Sequence, residues 1–502
     1  MSRAAFLITA GLLALAAGAG AQERTHPAIP PDAREAKQPG AWEKIPVPPL
    51  HAFHPQQPKR IELKNGLVIL LEEDHELPFI NGFIEMRGGS RSEPAEKAGL
   101  VDLYAQTWRT SGTAKQNGDA LDDLLEAKAA KVETAGDDDS TSVSWSCLKK
   151  DEEQVFGIAL DLLLHPAFNE QKLALAKQQE MAGIVRRNDD VGGIAQREAA
   201  KLVYGAHSPY VRQPEIATTT AVALSDLNAW HATTVVPNNM IVGVEGDFDS
   251  AAMEKALRDA FDGLPSGAAW KAPEVTVPGP TPGVYLVKKP DVDQSNVWIV
   301  GVGTERSNPD YYALSVMNEI FSGGFGSRLF QDVRTRMGLA YSVEGAYGAS
   351  YDHPGMFYTI AATKSGSTEQ ATKEMLKDIG ELRTRPFTDD ELKTAKDQLL
   401  NSFIFQYDTK TKVLDEAAAL EFYHYPADFL AKYREGVERV TVADLERVAQ
   451  KYIDPAKLAV LVVGNDGQFG TPLNELGLGQ EHVLDITIPI PPAMRQALGA
   501  GQ

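Results

Sequence analysis

Two stretches far apart in this chain, VVPNNMIVGVEG at residues 235–246 and IDPAKLAVLVVG at residues 453–464, are built on one frame. In each, a proline stands nine positions before a glycine and the run between them is apolar, the pattern of a buried strand bounded by turn residues. Each has a counterpart upstream where a glycine opens another apolar run: Gly66 before LVILLEE and Gly283 before VYLVKK. Pro237 follows Gly66 by 171 positions, and Pro455 follows Gly283 by 172. Nearly equal spans between the same opening and closing strands mark an internal duplication, so the chain must fold as two similar halves.

The first half can be filled in from periodicity. Asn65-Gly66 is a turn between short apolar runs, and a second strand follows to about Met86. Helical patterns run over 97–109, 118–130, 151–165 and 170–187, with a strand pair near 131–136 and 141–148 among them. Paired strands separated by runs of helices predict an α+β fold. The halves are expected at 58–263 and 284–490, joined by LPSGAAWKAPEVTVPGPTPG at 264–283, which is rich in Pro and Gly as a linker should be. Residues 491–502 form a tail.

The start of the chain reads differently. MSRAAFLITAGLLALAAGAGAQ places a basic residue, an apolar run and the small residues Ala19-Gly20-Ala21 in the order of a secretory signal, here residues 1–21. The apolar run is short for a membrane anchor, so export to a periplasm is expected, with no membrane span once the signal is removed. Residues 22–57 are Pro-rich and read as an extended lead-in. A formal net charge of −20 argues against nucleic acid and anionic membrane as partners. Cys147 is the single cysteine, which excludes an internal disulfide and a thiolate metal cluster. Its flanks, TSVSWSCL, alternate like a strand, so a packed structural thiol is expected.

Three segments together, NGLVILLEEDHELP, GGSRSEPAEKAGL and GGFGSRLFQDVRTRMGLAYSV, resemble the insulinase (pitrilysin) family of zinc peptidases. Within it the chain is most similar to the two-half bacterial subunits related to mitochondrial processing peptidase. The resemblance covers nearly all of residues 58–470 and implies that each half is an antiparallel-rich sheet packed with helices. It also implies a metal site. Active members carry His-x-x-Glu-His just after an "AGL", where two His on one helix face reach a zinc and the Glu between them serves the bound water as general base. Here AGLVDLYAQTW puts Asp102, Ala105 and Gln106 at those positions. An amide is a poor zinc ligand, and alanine accepts no proton. The family's third ligand is a Glu on a later helix; aligning LALAKQQEMAGIVRR places Arg187 there, seven residues after Glu180. No cofactor is therefore expected on this chain. None of its ten histidines has a partner in a metal-binding spacing, and His51 and His54, three apart, fall in the Pro-rich lead-in. The acidic runs Glu72-Glu73-Asp74 and Asp137-Asp138-Asp139 are expected as solvated turns.

The second half keeps what the first has lost. Arg334 and Tyr341 hold the seven-residue separation of the family's arginine–tyrosine pair, Arg334 near the end of a helical pattern and Tyr341 opening the next strand. The resemblance implies that the pair faces substrate near the zinc of an opposite half, as donors for a carbonyl oxygen gaining negative charge. The plainer alternative is a surface cation and a half-buried strand aromatic. Gly323, Gly324 and Gly326 form a loop that contacts substrate in the processing-peptidase relatives; a tight helix-entry turn is the alternative. A blank zinc half beside a retained substrate half is expected of a non-catalytic subunit. Its partner would be a zinc-bearing subunit of the same family, and its substrate a peptide or unfolded polypeptide. A catalytically inactive structural or peptide-binding protein of the same fold is the other expectation, and a hydrolase using a different metal a third.

Overall fold

The computed structural model describes residues 56–491. The signal-like segment, the Pro-rich lead-in through residue 55, His51 and His54, and the tail from residue 492 lie outside the described residues. Two sheets organise the rest. The first contains β1 (Lys59–Glu62), β2 (Val68–Glu73), β3 (Phe79–Arg87), β4 (Lys131–Gly136), β5 (Ser140–Leu148) and β6 (Met240–Gly246), in the order β1-β2-β6-β3-β5-β4. The second contains β7 (Gly283–Lys288), β8 (Gln294–Val302), β9 (Thr304–Glu305), β10 (Ala340–Ser350), β11 (Pro354–Lys364), β12 (Ala459–Gly464) and β13 (Glu481–Val483), in the order β13-β7-β12-β8-β11-β10-β9.

The duplicated stretches explain this topology. β6 lies parallel to β2, with Val68 opposite Ile241, and antiparallel to β3. β12 likewise lies parallel to β7, with Val284 opposite Val460, and antiparallel to β8. The closing strand of each half therefore inserts beside its opening strand, near the middle of the sheet. Every residue of β6 and of β12 is buried, which is why both read as continuous apolar runs rather than alternating ones.

Helices cover both faces. The first half supplies α1 (Leu100–Ser111), α2 (Gly118–Ala127), α3 (Glu152–Leu164), α4 (Glu170–Arg186), α5 (Val191–Tyr204), α6 (Ile216–Ala221), α7 (Leu224–Thr234) and α8 (Ser250–Phe261). The second supplies α9 (Tyr311–Ser322), α10 (Thr368–Glu381), α11 (Asp389–Phe403), α12 (Lys410–Phe422), α13 (Phe429–Arg439) and α14 (Val442–Tyr452). No described helix is long and apolar enough to cross a membrane. One face of each sheet packs on helices of its own half: Ile69 and Leu71 of β2 join the core of α1 and α3, and Val284 and Leu286 of β7 join that of α9 and α10. The other face is covered by the opposite half. Val68, Leu70 and Ile241 pack on Leu414, Ala418 and Phe422 of α12. Tyr285, Val287 and Val463 pack on Ile194, Ala199 and Val203 of α5. The halves exchange one helix each.

Polar pairs cross the same boundary. Buried Glu72 accepts from Lys410 Nζ at 2.6 Å, and Arg60 binds both carboxylate oxygens of Glu421 at 2.8 and 2.9 Å. Buried Arg91 reaches Asp139 at 2.6 Å and Asp352 at 2.8 Å, while Asp139 also accepts from Tyr423. Glu72 and Asp139 are thus not members of solvated turns; a cation from the other half, or one shared with it, draws each of them inward. Cys147 is buried in β5, and burial pushes its thiol up to about 11, consistent with packing rather than reactivity.

Because α12 buries the outer face of the first sheet, Leu414→Ala is expected to destabilise the whole chain. Its side chain is 1% exposed, and such a truncation costs about 2–5 kcal/mol. Urea unfolding followed by far-UV circular dichroism and tryptophan fluorescence should show both signals shift together. Separate transitions, with only one moved, would mean the exchanged helix does not couple the halves.

Candidate functional site

The first of the expected site positions is fixed by a glycine. Gly99 has φ 96°, the left-handed region that favours glycine, and this turn releases the chain into α1. Glu93 caps the helix, accepting from the Gly99 N–H at 2.8 Å and the Val101 N–H at 3.0 Å; burial pushes its carboxyl up to about 7. The helix is then held by its apolar side. Leu100, Leu103, Tyr104 and Trp108 are buried, Trp108 donates to the Leu162 carbonyl at 2.7 Å, and Tyr104 Oη lies 2.8 Å from His231 Nδ1. Burial lowers His231 to about 4, so it sits in this core as a neutral ring.

Asp102 and Gln106, four residues apart, occupy the exposed stripe of α1, and Ala105 is buried beside β4, where its carbonyl accepts from Thr134 at 2.6 Å. The spacing of the two exposed positions is that of a pair of ligands, but the residues are a carboxylate and an amide. The Gln106 amide donates to Gln179 on α4, and the Glu180 carboxyl is raised by its own burial and then by the charge of Asp102. These residues do not fit a zinc ion: there is no imidazole, no general base at Ala105, and an amide pair where ligands would converge.

Arg187 requires a correction. Its guanidinium is engaged by residues outside the α1 motif. It caps the C-terminal end of α4, with its guanidinium on Glu215 at 2.7 Å and on the Pro214 carbonyl at 3.1 Å. The position stacked one turn beyond Gln179 on the same helix face is Gly183. A Cβ there would meet nothing within 4 Å. Sequence alignment across the loops between α1 and α4 missed this because it had no contact to anchor it; the Gln106–Gln179 contact supplies one.

In the second half the loop after α9 carries Gly323, Gly324 and Gly326. Gly324 has φ 83° and needs glycine, whereas a Cβ at Gly323 would run into the Glu319 carboxylate at 2.3 Å. The loop is closed by Ser327 Oγ donating to the Gly324 carbonyl at 2.7 Å. It is therefore a tight helix-entry turn, and its glycines also line one side of an open cleft of about 790 Å³ with Phe325, Gln398 and Phe405. Phe325 and Phe405 are exposed aromatics at this cleft, which sequence periodicity had not singled out.

The helical pattern that follows ends as a wide π-helical turn, Phe330–Arg336. Arg334 projects from it with its guanidinium carbon 4.8 Å from the ring centre of Phe330 and 5.6 Å from that of Tyr341. Phe330 in turn meets Phe325 edge-on at 4.9 Å, so the glycine loop and the Arg–Tyr pair share one aromatic contact. Tyr341, second residue of β10, is 84% exposed. Among the described residues neither the Arg334 guanidinium nor the Tyr341 hydroxyl makes an ion pair or side-chain hydrogen bond. Their donors are free to meet an acceptor from outside.

Two models of one family match this architecture: "Insulinase (Peptidase family M16)" over residues 68–191, and "Peptidase M16 inactive domain" over residues 221–399. The chain belongs to the insulinase family. Its sequence is 24% identical over 406 residues to the non-peptidase homolog YmxG of Helicobacter pylori, spanning 79% of this chain and 91% of that protein. It is 22% identical over 398 residues to the uncharacterized zinc protease YmxG of Bacillus subtilis, spanning 78% and 93%. The fold is similar to the crystal structure of a peptidase M16 inactive domain from Pseudomonas fluorescens, with TM-score 0.74 and 23% identity over 82% of this chain and 98% of that one. A protease from Helicobacter pylori superposes with TM-score 0.71 and 19% identity, over 82% of this chain and all of that one. This insulinase-family chain has the two homologous α+β halves of its relatives and a degenerate zinc motif.

Rebuilding the motif tests the assigned geometry. The triple change Asp102→His, Ala105→Glu, Gln106→His is expected to bind zinc weakly. Adding Gly183→Glu should tighten binding on the order of ten-fold or more, since a direct ligand contributes at least as much as an outer partner. Adding Arg187→Glu instead should not. Competition against a chromogenic zinc chelator reads the difference, and the reverse ranking would return the third position to Arg187.

Proposed function

We propose that this chain is the non-catalytic subunit of an exported, heterodimeric zinc peptidase. The zinc-bearing partner, a subunit of the same family, supplies the metal, the attacking water and the general base. This chain supplies Arg334 and Tyr341 to the substrate and to the oxyanion that forms on it. The observation that carries the reading is a contrast within one molecule. The motif positions of α1 hold an acid, an alanine and an amide, whereas Arg334 and Tyr341 present unengaged N–H and O–H donors at the surface. A relative named a non-peptidase homolog supports the inactive part of the reading. The signal-like N-terminus supports export to a periplasm. The exposed Phe325 and Phe405 beside Gly323, Gly324 and Gly326 suit an extended peptide or unfolded polypeptide, whose backbone approaches glycine and whose side chains meet the rings.

The same cleft supports a second reading, a peptide-binding protein without catalysis. Kinetics separate the two. Mixed with a zinc-bearing partner of this fold, the chain is expected to raise hydrolysis of an unstructured peptide well above the partner's own rate. Arg334→Ala and Tyr341→Phe should each remove much of that gain while the complex still forms on size-exclusion chromatography. Loss of one oxyanion donor costs on the order of 10²-fold in turnover, and it should fall chiefly on kcat because the bond is made mainly in the transition state. Arg334→Ala is allowed a larger rise in KM than Tyr341→Phe, since a guanidinium also holds the substrate backbone. Full activity of both variants within an intact complex would leave the binding reading standing.

A further inference from the structure

Beneath the turn that carries Arg334 lies a group of acids unconnected with the family's zinc motif. Asp332 comes from the π-helical turn, and Asp378 and Glu381 come from the last turn of α10, where their i, i+3 spacing puts them on one face. One carboxylate oxygen from each lies within 4.8 Å of the others. Asp378 is the telling member. It is 3% exposed, and neither of its oxygens has a hydrogen-bond partner. A buried carboxylate left bare is costly, because the water it has given up is not replaced. Burial, followed by the charges of Asp332 and Glu374, pushes its carboxyl up to about 8.

Positive groups ring the cluster without reaching Asp378. Arg336 pairs with Asp332 at 2.9 Å, and Arg385 stands 3.9 Å from Asp332 and 3.8 Å from Glu381. Lys377 lies 3.5 Å from Glu381 and 2.8 Å from Glu374. Arg336 also has Glu374 at 3.4 Å, so it keeps a partner if it releases Asp332. All three cations are exposed on the rim, and none of them pairs with Asp378. Oxygen ligands at about 2.3–2.6 Å from a shared calcium ion are at most about 5 Å apart. The carboxylates already meet that limit.

We propose that Asp332, Asp378 and Glu381 bind one hard divalent cation of the calcium class, joining the π-helical turn to the end of α10. The cation supplies the counter-charge that Asp378 lacks. All-oxygen, all-carboxylate donors select calcium, magnesium or manganese over zinc or copper. The site does not depend on the proposed function, and its test uses the isolated full chain.

After dialysis against EGTA and removal of the chelator, calorimetric titration with calcium chloride is expected to give close to one ion per chain. The thermal midpoint should rise with added calcium. Magnesium and manganese chloride, titrated separately, identify which cation is preferred. Asp378→Asn and Asp332→Asn should each weaken binding by about ten-fold or more, with the fold checked by circular dichroism. Glu381→Gln, at a less buried position, provides the same reading if either variant fails to fold. Absence of saturable binding of all three ions up to millimolar concentration overturns the site. So does unchanged binding in the variants. An Asp378→Asn chain that is more stable than wild type, with no ion response in either, assigns a buried proton to Asp378 instead.

Discussion

The exchange of helices between halves is the constraint on which the rest of the structure depends. A sheet with both faces apolar is stable only if both are covered. Each half covers one face with its own helices and leaves the other open, and the open face is closed by α5 or α12 from the opposite side. Neither sheet is complete alone. The exchange also explains the buried ions at the boundary. Lys410, the first residue of α12, arrives beside Glu72 because the helix must lie across β2 and β6 to bury Leu414 and Ala418. The apolar contact sets the position, and the ion pair follows from it.

The duplication was legible because a strand buried on both faces leaves a continuous apolar run, and two such runs at matching distances leave little freedom. The helices of the first half were equally plain, since α1 to α4 lie within a few residues of their periodic patterns. The exchange was not legible. Amphipathicity gives a helix an apolar side but does not say which sheet receives it, so nothing in the sequence of α5 or α12 announces that each crosses to the opposite half. The acids at Glu72 and Asp139 misled for a related reason: a run of charges looks solvated until a partner distant in sequence is seen to reach it. Arg187 was misplaced because helix phase is secure within α4 but not across the loops from α1. The wide turn at Phe330–Arg336 gave no sign in the sequence, because one extra residue in a turn leaves the local apolar pattern nearly unchanged.

The structure also accounts for how a zinc helix persists without zinc. The residues that hold α1 in place are Leu100, Leu103, Tyr104 and Trp108, and they face the core. Asp102 and Gln106 face outward, so exchanging their side chains disturbs little packing; surface changes typically lie within about 0.5 kcal/mol. Ala105 is the exception, buried against β4. A glutamate there would have to carry its carboxylate out of the buried side toward the exposed stripe. The small side chain at Ala105 fits the buried side of α1, while the two outward positions carry little of the packing that holds the helix.

The opposite logic applies to Arg334. A guanidinium at a surface is ordinarily quenched by a carboxylate, which satisfies its charge and its N–H donors together. Here the neighbouring acid Asp332 is turned inward and engaged by Arg336, and Arg334 rests between two aromatic rings instead. Cation–π contacts at exposed sites contribute about 0.5–1 kcal/mol each, enough to bias the side chain without immobilising it. Rings stabilise the charge but accept none of the five planar N–H bonds. Asp332 points inward and Arg334 outward because residues two apart on a helical turn lie on opposite faces, so this acid and this base do not pair. What reaches the surface is a positioned cation with its hydrogen-bonding capacity unspent, next to a tyrosine hydroxyl in the same condition.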